Sequence, residues 1–328
     1  MISRRLALGA MASALCGAAP WSAARPAAAQ TYPDKPVKMI VPFPPGGPID
    51  TMGRLIAQHL TSALGQQVVI DNRPGAGSTL GTKAAAAADA DGYTLLFGSS
   101  GSLAVAPALY AGFDLDPRVA FAPVATMALL PHIFVVAPTV PAKTVAEFVE
   151  YAKANPGRLN YGAGLGTPPH LLGTLFKVKA GIDIVYVPYR GSAASITDLL
   201  GGRTQMTIDG LTGLYPLIQE GKVRPLAMAR ATRWPLLPDV PTLVESGFPD
   251  FVIDAWTGVV APAGTPPEIT AKLNAAINEG LASAEMQAAL AKFSAIAKPG
   301  SPQDFSDFLA GEVPRWAGIV KLAGARIE

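Results

Sequence analysis

Short apolar runs alternate with segments of helical apolar spacing along the first third of the chain. Residues 37–41 form an apolar run, and apolar residues then recur at helical spacing from Met52 to Leu64. A second apolar run occupies residues 67–71 and is again followed by a segment predicted to be helical. A third apolar run occupies residues 93–97. Nearly continuous apolar strands separated by helices are typical of a parallel sheet covered on both faces. We therefore predict an α/β fold.

The middle of the chain repeats this alternation, whereas the C-terminal part does not. Strand-like runs are predicted at residues 121–126, 133–136, 159–161, 184–187 and 205–208. After a further strand at residues 254–260, the chain is helical and has no matching strands. We expect these helices to return and cover the first domain. The predicted division is lobe 1 at residues 30–125 plus 255–328, and lobe 2 at residues 126–254.

The first 29 residues have the pattern of a secretory signal peptide. A basic start with Arg4 and Arg5 precedes an apolar stretch, and three alanines before Gln30 offer a cleavage site. Residues 3–8 also resemble a twin-arginine export signal, so both the Sec and the twin-arginine routes stay open. We expect a periplasmic protein, with residues 1–29 as its signal peptide.

Removal of this segment changes the charge and the cysteine content of the chain. It takes three arginines from 26 basic residues and nothing from 24 acidic ones, so the net charge falls from +2 to −1. Binding to nucleic acid or to a membrane surface loses its main support. The only cysteine, Cys16, is also removed. The mature protein therefore has no thiolate metal site, and we predict neither a metal nor another cofactor.

Four turns rich in glycine or serine follow predicted strands. Ligands of open α/β sheets bind outside the carboxyl ends of the strands, and helix N-termini present unpaired amides there. If two lobes face each other through these turns, their amides and hydroxyls suit a small carboxylate. The turns contain Gly46 and Gly47; Ser99, Ser100 and Ser102; Gly164, Gly166 and Thr167; Gly191 and Ser192. A set of tight turns without a ligand is the alternative interpretation.

The first turn can donate few amides, because Pro45 and Pro48 have no N–H. Its predicted donors are Gly46, Gly47 and Ile49. Asp50 and Arg190 are the charged residues best placed to enter a cleft, although a helix-capping role for Asp50 and a solvated position for Arg190 are equally open.

His170 opens a helix after the third turn, where it could contact a ligand. An exported α/β hydrolase using Ser99, Ser100 or Ser192 with His170 is the rival interpretation. Residues 75–81 also follow a strand and open a helix, but they lack the G-x-G-x-x-G spacing of a dinucleotide site.

Several motifs resemble the Bug-type solute-binding receptors of tripartite tricarboxylate transporters. They are Tyr-Pro-Asp-Lys-Pro-Val at residues 32–37, Val-Pro-Phe with two glycines and an aspartate at 41–50, Asn-Arg-Pro-Gly-Ala-Gly at 72–77, Asp-Gly-Tyr-Thr-Leu-Leu at 91–96, Val-Pro-Tyr-Arg-Gly at 187–191, Leu-Pro-Asp-Val-Pro-Thr at 237–242 and Ala-Pro-Ala-Gly-Thr-Pro at 261–266. The resemblance extends in order over essentially the whole mature chain.

The resemblance implies a two-lobe periplasmic-binding-protein-like fold of type II, with the ligand cleft between the lobes and a discontinuous first lobe. Such receptors are not enzymes. They close on a dicarboxylate, tricarboxylate, acidic amino acid or aromatic acid and deliver it to a two-component membrane permease. A monomer is expected, and a carboxylate sensor for a membrane kinase is a further alternative. The implied ligand-binding residues are Phe43, Pro44, Gly46, Gly47, Ile49, Asp50, Ser99, Ser100, Ser102, Gly164, Gly166, Thr167, His170, Arg190, Gly191, Ser192 and Asp209.

Two second-lobe turns depart from the family pattern. Residues 161–167 are one residue shorter than usual and lack a serine, and residues 191–195 read Gly-Ser-Ala-Ala-Ser instead of Gly-Gly-x-Pro-Ala. We therefore expect the turns facing the first one to decide which acid binds. Trp256 is predicted beside the hinge, so ligand binding should change its fluorescence.

Overall fold

The computed structural model describes residues 32–327, and the predicted signal peptide lies outside the described residues. The first part of the chain alternates strands and helices, as its apolar pattern predicts. Its elements are β1 (Val37–Val41), α1 (Pro48–Leu64), β2 (Val68–Asn72), a 3₁₀ turn (Ala76–Ser78), α2 (Thr79–Ala86), β3 (Thr94–Ser99), a π-helical turn (Gly101–Val105), α3 (Ala106–Leu109), α4 (Pro117–Ala120) and β4 (Phe121–Leu130).

The second part forms its own sheet, and the third part returns to the first. The second part contains β5 (His132–Val136), α5 (Val145–Ala154), β6 (Leu159–Gly164), α6 (Pro168–Ala180), β7 (Ile184–Tyr189), α7 (Ser192–Leu200), β8 (Met206–Gly210), α8 (Leu211–Gln219) and β9 (Arg224–Met228). The third contains β10 (Ala255–Pro262), α9 (Pro267–Ala282), α10 (Ala284–Ala291), β11 (Ile296–Ala297) and α11 (Pro302–Leu322).

The strands make two sheets, in the orders β11–β4–β10–β3–β1–β2 and β7–β6–β8–β5–β9. In the first sheet β1 pairs in parallel with β2 and β3, and β10 runs antiparallel between β3 and β4. The carboxyl ends of β1, β2 and β3 therefore lie at one edge, as do those of the parallel strands β6, β7 and β8 of the second sheet.

Helix α8 and strand β9 are absent from the predicted elements, and prolines explain why. Pro216 lies inside α8 and Pro225 inside β9. Because β9 is an edge strand of its sheet, a residue without an N–H is tolerated there. Strand β4 also continues to Leu130, so the predicted boundary between residues 125 and 126 falls inside a strand of the first sheet.

Two apolar cores hold the layers together. One packs Met52, Ile56 and Leu60 of α1 and Ile277 of α9 on the first sheet. The other fills the second sheet, where the rings of Phe134 and Phe176 lie 4.8 Å apart, and extends through the crossing between the sheets to β10 and α11. This second core links the two sheets through buried apolar contacts.

The chain passes between the sheets after β4 and before β10, and the two crossings are hydrogen-bonded to each other. The buried His132 ring donates from Nδ1 to the carbonyl of Ile253 at 3.1 Å. Burial lowers the pKa of His132 to about 4, so the ring is neutral at pH 7. Trp256, the second residue of β10, is fully buried and donates from Nε1 to Glu312 at 2.8 Å. The two crossings between the sheets are therefore fixed to each other by a buried hydrogen bond.

Candidate functional site

The turn between β1 and α1 is organised by the buried carboxylate of Asp50. One of its oxygens accepts the Gly46 amide at 2.8 Å and the Arg54 side chain at 2.9 Å. The other oxygen accepts the Asn72 amide group at 2.8 Å, and Asn72 also donates to the carbonyl of Phe43. Asp50 therefore binds the turn to the end of β2 and to the first turn of α1.

Burial alone would raise the pKa of Asp50, but the hydrogen bonds from Arg54, Gly46 and Asn72 outweigh it and hold the pKa below its usual value. The carboxylate is therefore ionised and engaged within the turn. We interpret Asp50 as the residue that shapes the turn, and direct contact of Asp50 with a ligand stays a prediction.

The Gly46 amide is occupied by Asp50, so the predicted donors of this turn reduce to Gly47 and Ile49. The first turn of a helix has no intrahelical acceptors for its amides, and Pro48 has no amide to offer. Gly47 has extended backbone, and a Cβ there would meet only the Pro44 carbonyl at 3.7 Å. A small ligand can therefore approach this backbone closely.

The turn after β3 belongs to the same lobe and is largely occupied by its own contacts. The fully buried Ser102 hydroxyl accepts the Ser99 amide at 2.9 Å and donates to the Ser99 carbonyl at 3.2 Å. Ser102 thereby closes the start of the π-helical turn. Ser99 and Ser100 are also buried, so each exposes little surface to a cleft.

In the second lobe, the turn between β6 and α6 is held by Thr167 and His170. Thr167 donates from its hydroxyl to the Gly164 carbonyl at 2.7 Å. The buried His170 ring accepts the Gly166 amide on Nδ1 at 3.3 Å and stacks on Tyr186 at 4.1 Å. Burial lowers the pKa of His170, so this ring supports the turn as a neutral group.

The other second-lobe turns bring Asp209 and Ser192 together. Asp209 is 5% exposed at the end of β8; its Oδ1 accepts the Gly210 amide at 2.7 Å, and its Oδ2 has no hydrogen-bond partner among residues 32–327. Burial raises the pKa of Asp209, and the nearby Ser192 hydroxyl and the Gly210 amide offset part of that rise. Arg190, beside the open backbone of Gly191, is exposed.

A cavity of about 370 Å³ lies between the two lobes. Of the predicted ligand-binding residues, Phe43 and Pro44 line it from the first lobe and Gly166 and Thr167 from the second, and their contact with a ligand stays a prediction. The other predicted residues lie outside its lining. Gly101 and Leu165, which lie within two of the predicted turns, also line the cavity. The lining residues outside the predicted set are Pro42, Pro74, Gly75, Gly77, Ser78, Val105, Ala106, Leu109, Tyr110 and Pro168.

Part of this lining lies at the carboxyl end of a parallel strand, where ligands of α/β sheets bind. Residues 74–78 follow β2, whose carboxyl end lies beside that of β1, so the rule on strand ends applies to them as well. Tyr110 could not be found in this way, because it ends a short helix and reaches the cavity by packing against Gly77.

The hydrolase interpretation requires a hydrogen bond between His170 and a serine. Within residues 32–327 no such bond joins the His170 ring to Ser99, Ser100 or Ser192, and its Nδ1 accepts a backbone amide instead. The described residues also contain no group of histidine, cysteine, aspartate and glutamate side chains arranged to hold a metal ion. In the same part of the chain, none of the helices has the length and apolar character that a bilayer crossing requires.

Comparison with known families gives one match over most of the chain. Residues 52–325 match the family described as tripartite tricarboxylate transporter family receptor, TctC. Protein BugT of Bordetella pertussis is 39% identical over 93% of this chain and 94% of its own length. A protein from the tcbD–tcbE intergenic region of Pseudomonas sp. strain P51 is 36% identical over 97% of this chain and 94% of its own length.

Solved structures agree with this match. Rpa4515 of R. palustris with adipate has a TM-score of 0.78 at 38% identity and covers 90% of this chain and all of its own. MatC of Rhodopseudomonas palustris with bound malate has a TM-score of 0.74 at 34% identity and covers 88% and 100%. The periplasmic binding protein BugD has a TM-score of 0.75 at 34% identity and covers 90% and 100%. The two-lobe fold predicted from the sequence is confirmed.

Proposed function

Since the chain belongs to the tripartite tricarboxylate transporter receptor family, we propose that it is a periplasmic receptor that captures a small carboxylate between its lobes. The family resemblance predicted from the sequence is thereby confirmed. The proposed receptor delivers its ligand to a two-component membrane permease of the tripartite tricarboxylate type. It acts as a monomer without catalysis, after export by the Sec or the twin-arginine route.

The observation that carries this proposal is the position of the cavity. It lies between the β1–α1 turn of one lobe and the β6–α6 turn of the other, and each turn begins a helix of more than ten residues. The positive end of the helix dipole favours an anion at both places. Because Pro168 and Pro169 have no N–H and the Thr167 amide donates to the Gly164 carbonyl, the start of α6 offers an anion the positive end of its dipole rather than a row of free amides.

Closure is the proposed response to the ligand. The lobes that we propose follow the two sheets, and their first division lies at Pro131, because β4 pairs in the first sheet as far as Leu130. The hinge is then the pair of crossings joined by His132 and Ile253. Ligand contacts from both lobes stabilise the closed arrangement over the open one, as binding to one of two conformations must.

A thermal-shift panel of small carboxylates tests the proposal. Protein freed of ligand by unfolding and refolding is screened with mono-, di- and tricarboxylates, and mass spectrometry of denatured protein checks that no ligand has copurified. A true ligand at 100 times its Kd adds about 2.7 kcal/mol to the free energy of unfolding. A flat melting temperature for every acid at millimolar concentration would contradict the proposal.

A further inference from the structure

The cavity between the lobes has walls that differ from those expected for a compact polyanion. Among residues 32–327 no charged side chain lines it. Its polar side chains are the hydroxyls of Ser78, Tyr110 and Thr167, and the Thr167 hydroxyl already donates to Gly164. Burial raises the pKa of Tyr110, so that phenol is neutral. The remaining walls are apolar side chains, prolines and glycines.

The two cationic side chains beside the first-lobe turns do not compensate for this lack of charge. Arg54 lies beside the first turn, but it is bound to Asp50 and Asn72. Arg73 precedes the cavity-lining Pro74, but it is paired with Asp71 at 2.9 Å. Each further carboxylate of a ligand inside the cavity would therefore lose its hydration without gaining a cation, which is costly.

The exposed side chain of Leu165 is a second observation that favours an apolar ligand in the cavity. It lies between two glycines at the tip of the β6–α6 turn, and 58% of its side chain is exposed. On the other side of the cavity are the half-buried rings of Phe43 and Tyr110. An apolar group between these side chains would remove apolar surface of both lobes from water.

From these walls we infer that the ligand is an acid with an apolar body of at least four carbons, an alkyl chain or an aromatic ring, which occupies the space between Phe43, Tyr110 and Leu165. This inference rests on the proposed function. The acid group lies at the positive ends of the α1 and α6 helix dipoles, and the apolar body makes contact with both lobes. Hydroxylated acids of the same length are disfavoured, because the cavity offers few partners for a buried hydroxyl.

A homologous series measures the apolar contact directly. The affinities of butanoate, hexanoate and octanoate, and of succinate and adipate, are determined by calorimetry with ligand-free protein. Burial of each methylene should raise the affinity roughly fourfold until the cavity is full. Succinate should bind more tightly than L-malate, and tricarballylate more tightly than citrate.

Two variants locate the contact. Leu165→Asn should reduce the affinity for hexanoate and adipate about tenfold and flatten the dependence on chain length. Leu236→Asn is the matched control, because Leu236 is another exposed leucine, 48% accessible, outside the cavity lining. It should leave every affinity unchanged. Leu165→Arg supplies a cation and should shift the preference towards citrate.

The outcomes separate the inference from the proposed function. If L-malate or citrate binds more tightly than its dehydroxylated partner, or if affinity is independent of chain length, the inference is overturned while the receptor function stands. A chain-length dependence that Leu165→Asn leaves intact also overturns it, because the apolar body then lies elsewhere. If no acid binds, the proposed function fails as well.

Discussion

The two sides of the cleft differ in how far their buried carboxylates are already satisfied. In the first lobe, both oxygens of Asp50 accept hydrogen bonds, from Gly46, Arg54 and Asn72. In the second lobe, Oδ2 of Asp209, which is also buried, has no partner within the described chain. Both residues lie near the carboxyl ends of parallel strands, yet both side-chain oxygens of Asp50 have hydrogen-bond partners whereas one oxygen of Asp209 has none.

This difference gives the turns of the two lobes different roles. The first turn is fixed before any ligand arrives, because its carboxylate holds the backbone in place. A buried polar atom without a partner costs about 1–3 kcal/mol, which a ligand donor or a water molecule can recover. The second-lobe turns therefore keep an unsatisfied buried oxygen that the first turn lacks, and the control of ligand choice by those turns stays a prediction.

The largest expected effect comes from removal of the satisfied carboxylate. Asp50→Ala should lower the free energy of unfolding by about 2–3 kcal/mol, because three hydrogen bonds to a charged group are lost. It should also weaken carboxylate binding at least tenfold as the turn loosens. Chemical denaturation and calorimetry measure the two effects, with the exposed Asp239→Asn as control. Wild-type stability of Asp50→Ala would show that the turn does not depend on this residue.

A smaller effect of opposite sign is expected from the unpartnered carboxylate. Asp209→Asn replaces a buried carboxyl group that has an unpartnered oxygen, and it should raise the free energy of unfolding of the ligand-free protein by about 1 kcal/mol. Its affinity for the acids of the panel should change, because Asn presents different donors and acceptors. A loss of stability similar to that of Asp50→Ala would mean that the two sides do not differ.

The pH dependence of the two variants sharpens the comparison further. The pKa of Asp50 is lowered by folding, so its stabilising contribution is complete above the ordinary value of 3.8 and is lost as the pH falls through the folded pKa. The pKa of Asp209 is raised, so its penalty applies above the folded pKa and disappears as the pH falls towards 3.8.

The advantage of Asp209→Asn should therefore vanish in acid, whereas the deficit of Asp50→Ala should persist to lower pH. Denaturant unfolding from pH 7 to pH 3 measures both differences, and the contribution of His132 cancels because every variant retains it. A constant advantage of Asp209→Asn down to pH 3 would contradict a raised pKa of Asp209 in the folded protein.

The smallest expected effect is a spectroscopic one. Ligand closure should change the emission of Trp256, because this buried ring lies beside the crossing and bonds to Glu312 of α11. Titration of the wild type is compared with Trp256→Phe, which should lose most of the signal. An unchanged wild-type spectrum at saturating ligand would place the moving contacts away from Trp256.

Sequence reasoning found the turns of the cleft but not the relations between them. The turns after β1 and β6 follow from local apolar pattern and glycine content, and the choice of Phe43 and Pro44 within the first turn follows from the family resemblance. Phe43, Pro44, Gly166 and Thr167 line the cavity. The engagement of Asp50 depends on Asn72, 22 residues away, and the position of Tyr110 depends on packing against Gly77. Such partners are set by tertiary structure, which periodicity does not encode.

The pairing of β4 with β10 has a consequence for the way this molecule could be divided. Leu130 and Ala255, where the chain leaves the first sheet and re-enters it, are direct partners in an antiparallel ladder. A two-residue Asn-Gly turn could therefore replace residues 131–254, because such turns join paired antiparallel strands. The shortened chain would be a single lobe closed by a β-hairpin. Circular dichroism with thermal melting would show whether this lobe folds independently.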